Sequence, residues 1–457
     1  PDEIVRGKLA DFADFALLHS LESPSSVDDS VARVEAGRVQ LLQRGRGYVP
    51  KPLPLPEGFG QAPPLLALGG QQKNTFCLIN RGQAMLSPPM GELKSKATLA
   101  VYQRFLALFC QLLEQPLSMV AVDRQTSYPS SQLGLSQNLS QILFPGQAVR
   151  QTHSPSSMSP LRVQSIQHHH AHIAACMAEN GLALKSPPVL GIVLDGLGLG
   201  DDGTFWGGEF LLADYRGYRR LAALKPVALL GHEQAVHQPW RNTYAHLRAA
   251  FDWPELVATC SDLGLMEFLA DKPQMLLEQT LEQLKTPLAS SAERLFDAVA
   301  AALDICREEL AYPGQGVAEL EALIEPEHLG QGMAYPFELT QRYEDGLWLI
   351  EPRSMWLSLL ADLMQDVSSA VISARFHLGL ANAIATLTHT LQEEHPFHQV
   401  VLTGSVFQNQ VLALEVKTRL RNLGLTVLTH SKVPPNDGGL SLGQAVIAAA
   451  RHLAPTP

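Results

Sequence analysis

The residues best placed to do chemistry in this sequence are four histidines within five positions, in Gln167-His168-His169-His170-Ala171-His172. Ile173-Ala174-Ala175-Cys176-Met177 follows, and this is a good helix former, so the histidines lie at or near a helix start. His168 and His172 are four positions apart, which puts both imidazoles on one helical face within reach of a single metal ion. Imidazole combined with carboxylate suits iron, zinc or manganese, and spacing does not choose among them. The competing reading is a surface histidine tract. Against it, the run passes directly into an apolar helix.

Carboxylates would have to come from elsewhere in the chain. Asp195 ends the apolar run Val189–Leu194 and opens Asp195-Gly196-Leu197-Gly198-Leu199-Gly200. Glycine lets backbone amides approach phosphate oxygens closely, so Gly196 and Gly198 are candidate phosphate contacts, although no P-loop Lys-Ser/Thr follows. Glu209 reads either as a site carboxylate or as a solvated strand residue. Gln399–Ser405 runs from a strand into a small-residue turn before Val406-Phe407-Gln408-Asn409, which offers a helix N-terminus to phosphate. In Pro434-Pro435-Asn436-Asp437-Gly438-Gly439 the turn presents Asp437 at its tip, a second carboxylate for the histidine pair. Gly69-Gly70-Gln71-Gln72-Lys73-Asn74-Thr75 could cradle phosphate, with Lys73 as a point charge. Tyr312–Glu319 could seat a ribose on Glu319. Arg241 reads as a surface or stacked arginine. No Ser-His-Asp set or nucleophilic-cysteine motif stands out.

The elements that must position these groups follow an α/β grammar. Short strands are expected at Leu65–Leu68, Thr75–Ile79, Ala84–Leu86 and Ser118–Asp123, with a hairpin turn at Asn80-Arg81-Gly82 and a helix over Leu99–Leu113. Further strands are expected at Val189–Leu194, Phe205–Ala213, Gln399–Thr403 and Thr426–Thr429. Helices are expected over 232–250, 291–306, 371–394 and 438–452. This alternation predicts a layered α/β fold of two lobes, with a ligand cleft at the carboxyl ends of strands. Residues 1–48, with a helix-like opening and the basic run Arg44–Tyr48, read as the end of another unit. Residues 49–64 read as a proline-rich linker, and 65–457 as the main domain.

The formal net charge of −11 disfavours non-specific nucleic-acid binding. The five cysteines show no CxxC spacing, which points away from a structural zinc site and suits a reducing cytoplasm. No apolar run is long enough to suggest a membrane span, and no signal peptide opens the chain. Pro1-Asp2 stands where an initiator Met would, which suggests a fragment or a processed chain.

With these residues in view, the chain resembles the hydrogenase-maturation carbamoyltransferase family, HypF. The resemblance is carried by Gln167–His172, Asp202–Glu209, Pro239-Trp240-Arg241, Arg294–Val299 and Pro434–Gly439. It covers essentially the whole chain but only the carboxy-terminal part of the family protein. Leu17–Arg33 looks like the end of a YrdC-like domain. Residues 65–457 look like the carbamoyl-transferring domain, related to tRNA threonylcarbamoyl-transferring enzymes and antibiotic O-carbamoyltransferases.

The resemblance implies a two-lobed, actin/sugar-kinase-like (RNase H-like) fold with a nucleotide cleft between lobes. It implies a divalent metal on His168, His172, Asp195 and Asp437 that holds nucleotide phosphates. Lys73, Asn74, Gly404 and Asn409 would lie near phosphate, and Gly314 and Glu319 near the ribose. The implied reaction passes the carbamoyl group of carbamoyl adenylate, made from ATP and carbamoyl phosphate in the YrdC-like domain, to the carboxy-terminal cysteine of a HypE-like partner. The thiolate comes from that partner, and His169 or His170 is a candidate base for its proton.

Two motifs depart from the family pattern. Asp123-Arg124-Gln125-Thr126 stands where the family has an aspartate followed by His-Pro, and Gly404-Ser405 replaces a glycine pair, adding a hydroxymethyl group beside phosphate. The family's amino-terminal domains are not represented, so the chain is not expected to make its own carbamoyl adenylate. Three alternatives remain: an O-carbamoyltransferase acting on a small-molecule hydroxyl, a kinase or ATPase of the same superfold, and a nucleotide-binding module without turnover.

Overall fold

Val189–Leu194, apolar except at Gly191, becomes the start of a long buried strand, Val189–Leu199, near the middle of a nine-stranded mixed sheet. The computed structural model describes residues 14–15, 27–35, 37–111, 113, 116–144, 161–282, 286–330 and 333–453. Gln399–Thr403 pairs parallel with the long strand on one side, with Leu402 opposite Ile192. Phe205–Ala213 pairs antiparallel on the other, with Phe210 opposite Ile192. Tyr218–Leu224, Trp348–Glu351 and Glu338–Gln341 extend that side, and Thr426–Leu428 closes the opposite edge.

A second, six-stranded sheet forms the other lobe. Its parallel strands, Leu65–Ala67, Met119–Asp123 and Arg162–Ile166, run from the middle of the sheet to one edge. Cys77–Asn80 and Gln83–Leu86 form the expected hairpin, and its turn residues Arg81 and Gly82 take φ of +51° and +71°, the left-handed pair that a two-residue hairpin turn requires. Leu53-Pro54 pairs with Ala84 and Gln83 at the sheet's edge, a position that tolerates a missing N–H. The proline-rich stretch is therefore partly woven into the first lobe.

Two helices, His168–Glu179 and Leu440–Leu453, lie between the sheets, in a core that draws Leu65, Ile79 and Met119 from one lobe and Val193, Leu211 and Val401 from the other. Their contact is built from small residues. A side chain at Gly443 would overlap the Ala171 carbonyl, so glycine there is what lets the two backbones touch. At Gly191 a side chain would overlap Ile173, so the glycine in the central strand seats the histidine helix on the sheet. The two-lobed α/β fold matches the sequence expectation.

Two details differ from it, and one expectation lies outside the described residues. The helix expected over 232–250 is two helices, Glu233–His237 and Pro239–Ala250, because Gln238 before the proline is held out of the helical region at φ −117°, ψ 88°. The strand ending in Asp195 does not stop there but continues to Leu199. The helix-like stretch read near the start lies outside the described residues, apart from Asp14 and Phe15. The described hairpin Val31–Glu35 with Arg38–Gln43 rests on the second lobe, where the Leu41 N–H donates to the Ser431 carbonyl at 3.3 Å. The helix Ser369–Glu394 is long and apolar enough to cross a membrane, but 72% of its apolar window is buried inside the molecule as core.

Candidate metal and nucleotide site

The His168–Glu179 helix starts with its first turn capped, the Gln167 side chain accepting from the His170 N–H at 2.8 Å. This fixes both imidazoles at the cleft. His168 Nε2 lies 3.5 Å from Asp195 Oδ2 and 3.4 Å from Asp437 Oδ1, and His172 Nε2 lies 3.2 and 3.6 Å from the same atoms. The four ligand atoms are all within 4.8 Å of one another. Asp123, at the end of the first lobe's buried strand Met119–Asp123, contacts His168 Nδ1 at 2.8 Å. A proton on Nδ1 leaves the Nε2 lone pair facing the cluster.

The electrostatics fit a cation. Burial by itself would lower His168, but Asp437 and Asp123 outweigh it and hold the imidazole well above its usual range. His172 is raised in the same way, chiefly by Asp195. Reciprocally, burial would raise the carboxylates, yet His168 brings Asp437 down to about 2 and His172 brings Asp195 well below its usual value. His172 Nε2 is buried beside Asp195 without hydrogen-bond geometry to it. An orphaned ring nitrogen facing two carboxylates and a second imidazole is the donor set that a divalent ion satisfies by displacing protons.

The second lobe supplies the carboxylates through tight backbone contacts. Gly404 takes φ +100°, and a side chain there would overlap the Leu194 carbonyl. That turn lets Ser405 donate from its N–H at 3.0 Å and from its hydroxyl at 2.8 Å to Asp195 Oδ1. The Asp437 turn is closed by Asn436, whose Oδ1 accepts from the Gly438 N–H at 3.0 Å, and by the Gly404 N–H on the Pro435 carbonyl at 3.0 Å. At the far end of the histidine helix, buried Glu179 accepts from the N–H groups of Ser431, Lys432 and Val433 at 3.0, 2.6 and 3.3 Å. It also pairs with His430, whose Nε2 is 2.8 Å from the Thr403 hydroxyl. One carboxylate thus fastens the segment leading to Asp437 onto the helix that carries the histidine pair.

The remaining expected residues divide. Lys73 is exposed on a turn at φ +41°, while Asn74 is buried and spends its amide on the Leu68 and Gly70 carbonyls at 3.0 and 2.6 Å. That turn matters because Gly70 backs onto Asp437, where a side chain would meet Oδ2 at 2.9 Å. Gly314, at φ +82°, opens the helix Gln315–Ala322, on which Glu319 accepts from Gln315 at 2.6 Å.

Several readings need correction. Gly196 and Gly198 lie in the long strand Val189–Leu199, Gly198 opposite Trp206 and Gly196 where the register shifts between Trp206 and Gly208. Gly198 instead makes room for the histidine helix, since a side chain there would meet His169 Cε1 at 2.7 Å. Asn409 caps the helix Gln410–Asn422, its Oδ1 accepting from the Leu412 N–H at 2.9 Å, and one N–H of its amide donates to His377 Nε2 at 2.7 Å. His169 and His170 are fully buried on other faces of their helix, His169 against Gln167 and His170 on the Asp214 carbonyl at 2.6 Å. Burial pushes His170 down to about 4 and His169 well below the usual imidazole range. Glu209 is buried in an ion pair with Arg220 at 2.7 Å, and Arg241 stacks on Trp240 at 4.6 Å.

Three residues went unnoticed as site residues: Asp123 as the His168 partner, Ser405 as the Asp195 donor, and Glu293, whose Oε2 lies 3.2 Å from the Ser405 hydroxyl oxygen. Asp123 carried a usable signal, an acid at the carboxyl end of a buried parallel strand. Glu293 carried none beyond its place in a helix start.

Two α/β lobes joined by paired helices, with two histidines and two aspartates meeting at the cleft, define a Kae1-like domain of the actin/sugar-kinase type. The comparisons agree with that class. Residues 60–179 match the HypF Kae1-like domain, and residues 191–444 match the family described as carbamoyltransferase, Kae1-like domain, second subdomain. The chain belongs to the HypF carbamoyltransferase family. Carbamoyltransferase HypF of Rhodobacter capsulatus is 37% identical over 451 residues, which is 98% of this chain and 54% of that protein. A carbamoyltransferase HypF homolog of Cupriavidus necator is 33% identical over 408 residues, 88% of this chain and 95% of that one. A crystal structure of full-length HypF in the phosphate- and nucleotide-bound form superposes with a TM-score of 0.83 at 32% identity, covering 99% of this chain and 65% of that one. The chain spans about half the length of the first curated relatives it matches.

Proposed function

We propose that this chain passes the carbamoyl group of carbamoyl adenylate to the carboxy-terminal cysteine thiolate of a HypE-like partner, a step in making the cyanide ligands of the nickel–iron hydrogenase centre. The observation that carries this reading is the convergence of His168, His172, Asp195 and Asp437 at the cleft of a HypF-family fold. Nucleotide binding is supported by the related HypF described as phosphate- and nucleotide-bound. The four residues would hold a divalent ion, iron, zinc or manganese, which when bound neutralises phosphate charge and polarises the mixed anhydride.

The chain's own groups do the positioning. Asp123 holds His168 in the ligating tautomer, Ser405 orients Asp195, and Glu179 holds the segment that leads to Asp437. The cysteines here are poor nucleophiles. Burial raises all five thiols, Cys77, Cys110 and Cys306 to about 12. The nucleophile therefore comes from the partner, whose thiolate attacks the carbamoyl carbon as AMP leaves. Five free cysteines suit a reducing cytoplasm.

Incubating the chain with carbamoyl adenylate and a peptide ending in the acceptor cysteine tests this. Thiocarbamate on the peptide is expected, and its loss in His168→Ala and His172→Ala. Carbamoylation of a small hydroxyl acceptor in preference to the peptide would replace this reading with an O-carbamoyltransferase.

A further inference from the structure

We infer that Arg33 and the hairpin that carries it, Val31–Glu35 with Arg38–Gln43, position the two turns behind the metal-site carboxylates; this rests on the metal reading above. Arg33 Nη1 donates to the Gln408 carbonyl at 2.5 Å. Gln408 ends the short turn Ser405–Gln408, whose first residue donates twice to Asp195 Oδ1. On the second strand of the hairpin, the Leu42 carbonyl accepts from Asn436 Nδ2 at 3.4 Å, and the Leu41 N–H donates to the Ser431 carbonyl. Asn436 immediately precedes Asp437 and closes its turn. One hairpin thus holds the Asp195 side of the cluster through a side chain and the Asp437 side through backbone groups.

The grip is constrained at both ends. Arg33 Nε and Nη2 donate to Gln40 Oε1 at 3.1 and 2.9 Å, so the guanidinium is fixed across the hairpin before it reaches Gln408. A guanidinium presents its donors in a planar fork, whereas a lysine ammonium sits on a flexible stem. Gln40 and Leu41 are buried, and Gln40 lines one crevice with Phe407, His430 and Pro435. Phe407 belongs to the first of the two turns and Pro435 to the second. The Gly404 N–H on the Pro435 carbonyl joins the turns, so a shift in either is passed to the other.

An ion held by side chains from separate elements is sensitive to displacement of any one of them. Groups that never touch the ion change its affinity when they fix the elements that carry its ligands. Arg33 is therefore a positioning residue for the cluster, although more than 130 residues separate it in sequence from the histidine pair.

Titration of the chain with zinc against a fluorescent chelator tests the inference, with urea unfolding of metal-free samples alongside. Arg33→Ala should weaken zinc binding about three- to tenfold, and Arg33→Lys should restore part of the loss. Val34→Ser is the control. Val34 is 71% exposed and points away from the Arg33 face of the same strand, so its variant should bind zinc as the parent does. Zinc affinity unchanged in Arg33→Ala, with or without a loss of stability, overturns the inference, and so does an equal weakening in Val34→Ser. A parent chain that binds no zinc overturns the metal reading itself, because zinc binds such a donor set more tightly than iron(II) or manganese(II).

Discussion

At the residue scale, the ligating power of His168 depends on a carboxylate that is not itself in the cluster. Asp123 is fully buried and bonds Nδ1 at 2.8 Å, which fixes ring orientation and makes Nε2 a better donor. Asp123→Asn keeps the shape and removes the charge. Metal affinity, read by competition with a fluorescent chelator, should fall about 10- to 100-fold. Unchanged affinity would mean that Asp123 only fills space. The histidine pair was legible because its spacing is fixed by the helix itself. The partners of Asn409 were not, since whether an asparagine faces a ligand or a neighbouring His377 is decided by a segment more than thirty residues away. His169 and His170 stood beside the true pair in sequence, but the helix turns each of them onto a different face.

At the element scale, the cluster is assembled from the histidine helix, the long central strand and the Pro434–Gly439 turn, and Glu179 ties the first to the third. Its carboxylate accepts three backbone N–H groups and pairs with His430. Glu179→Gln removes the charge from this buried pair and turns an acceptor into a donor that the site does not need. Urea unfolding should show a loss of about 3 kcal/mol, with weaker metal binding because the Asp437 turn loosens. A stability loss with metal affinity intact would confine Glu179 to a structural role.

Which elements exist was largely readable from apolar runs and periodicity. The extension of the Asp195 strand was not. Glycines there read as turn signals, whereas in the fold Gly198 and Gly200 leave space for His169 and the Trp206 indole. Tertiary close approach and turn formation call for the same residue.

At the scale of the whole molecule, buried neutral histidines make stability pH-dependent. Burial lowers His170, His246 and His377 each to about 4. Their unfolded value is about 6.5, so below that pH the unfolded chain binds protons that the folded chain refuses. Stability contributed by these groups is complete above about pH 6.5 and is lost as pH falls towards 4. His168 and His172, raised in the folded chain, pull the other way when no metal is bound. A comparison of variant with parent at each pH isolates one histidine.

His246 packs beside Trp356 with its Nδ1 unpartnered, far in sequence from the cluster. His246→Phe should lose about 2 kcal/mol less than the parent between pH 7 and 5 in urea unfolding. Parallel curves for the two proteins would show that His246 does not contribute.

The central claim is that the groove between the lobes holds one divalent ion on two imidazoles and two carboxylates. Elemental analysis of the purified chain together with anomalous diffraction from its crystals tests it most directly. One ion per chain is predicted, with an anomalous peak within about 2.0–2.2 Å of His168 Nε2, His172 Nε2, Asp195 Oδ2 and Asp437 Oδ1. A metal-free chain that still carbamoylates its acceptor, or an ion bound elsewhere, would contradict it.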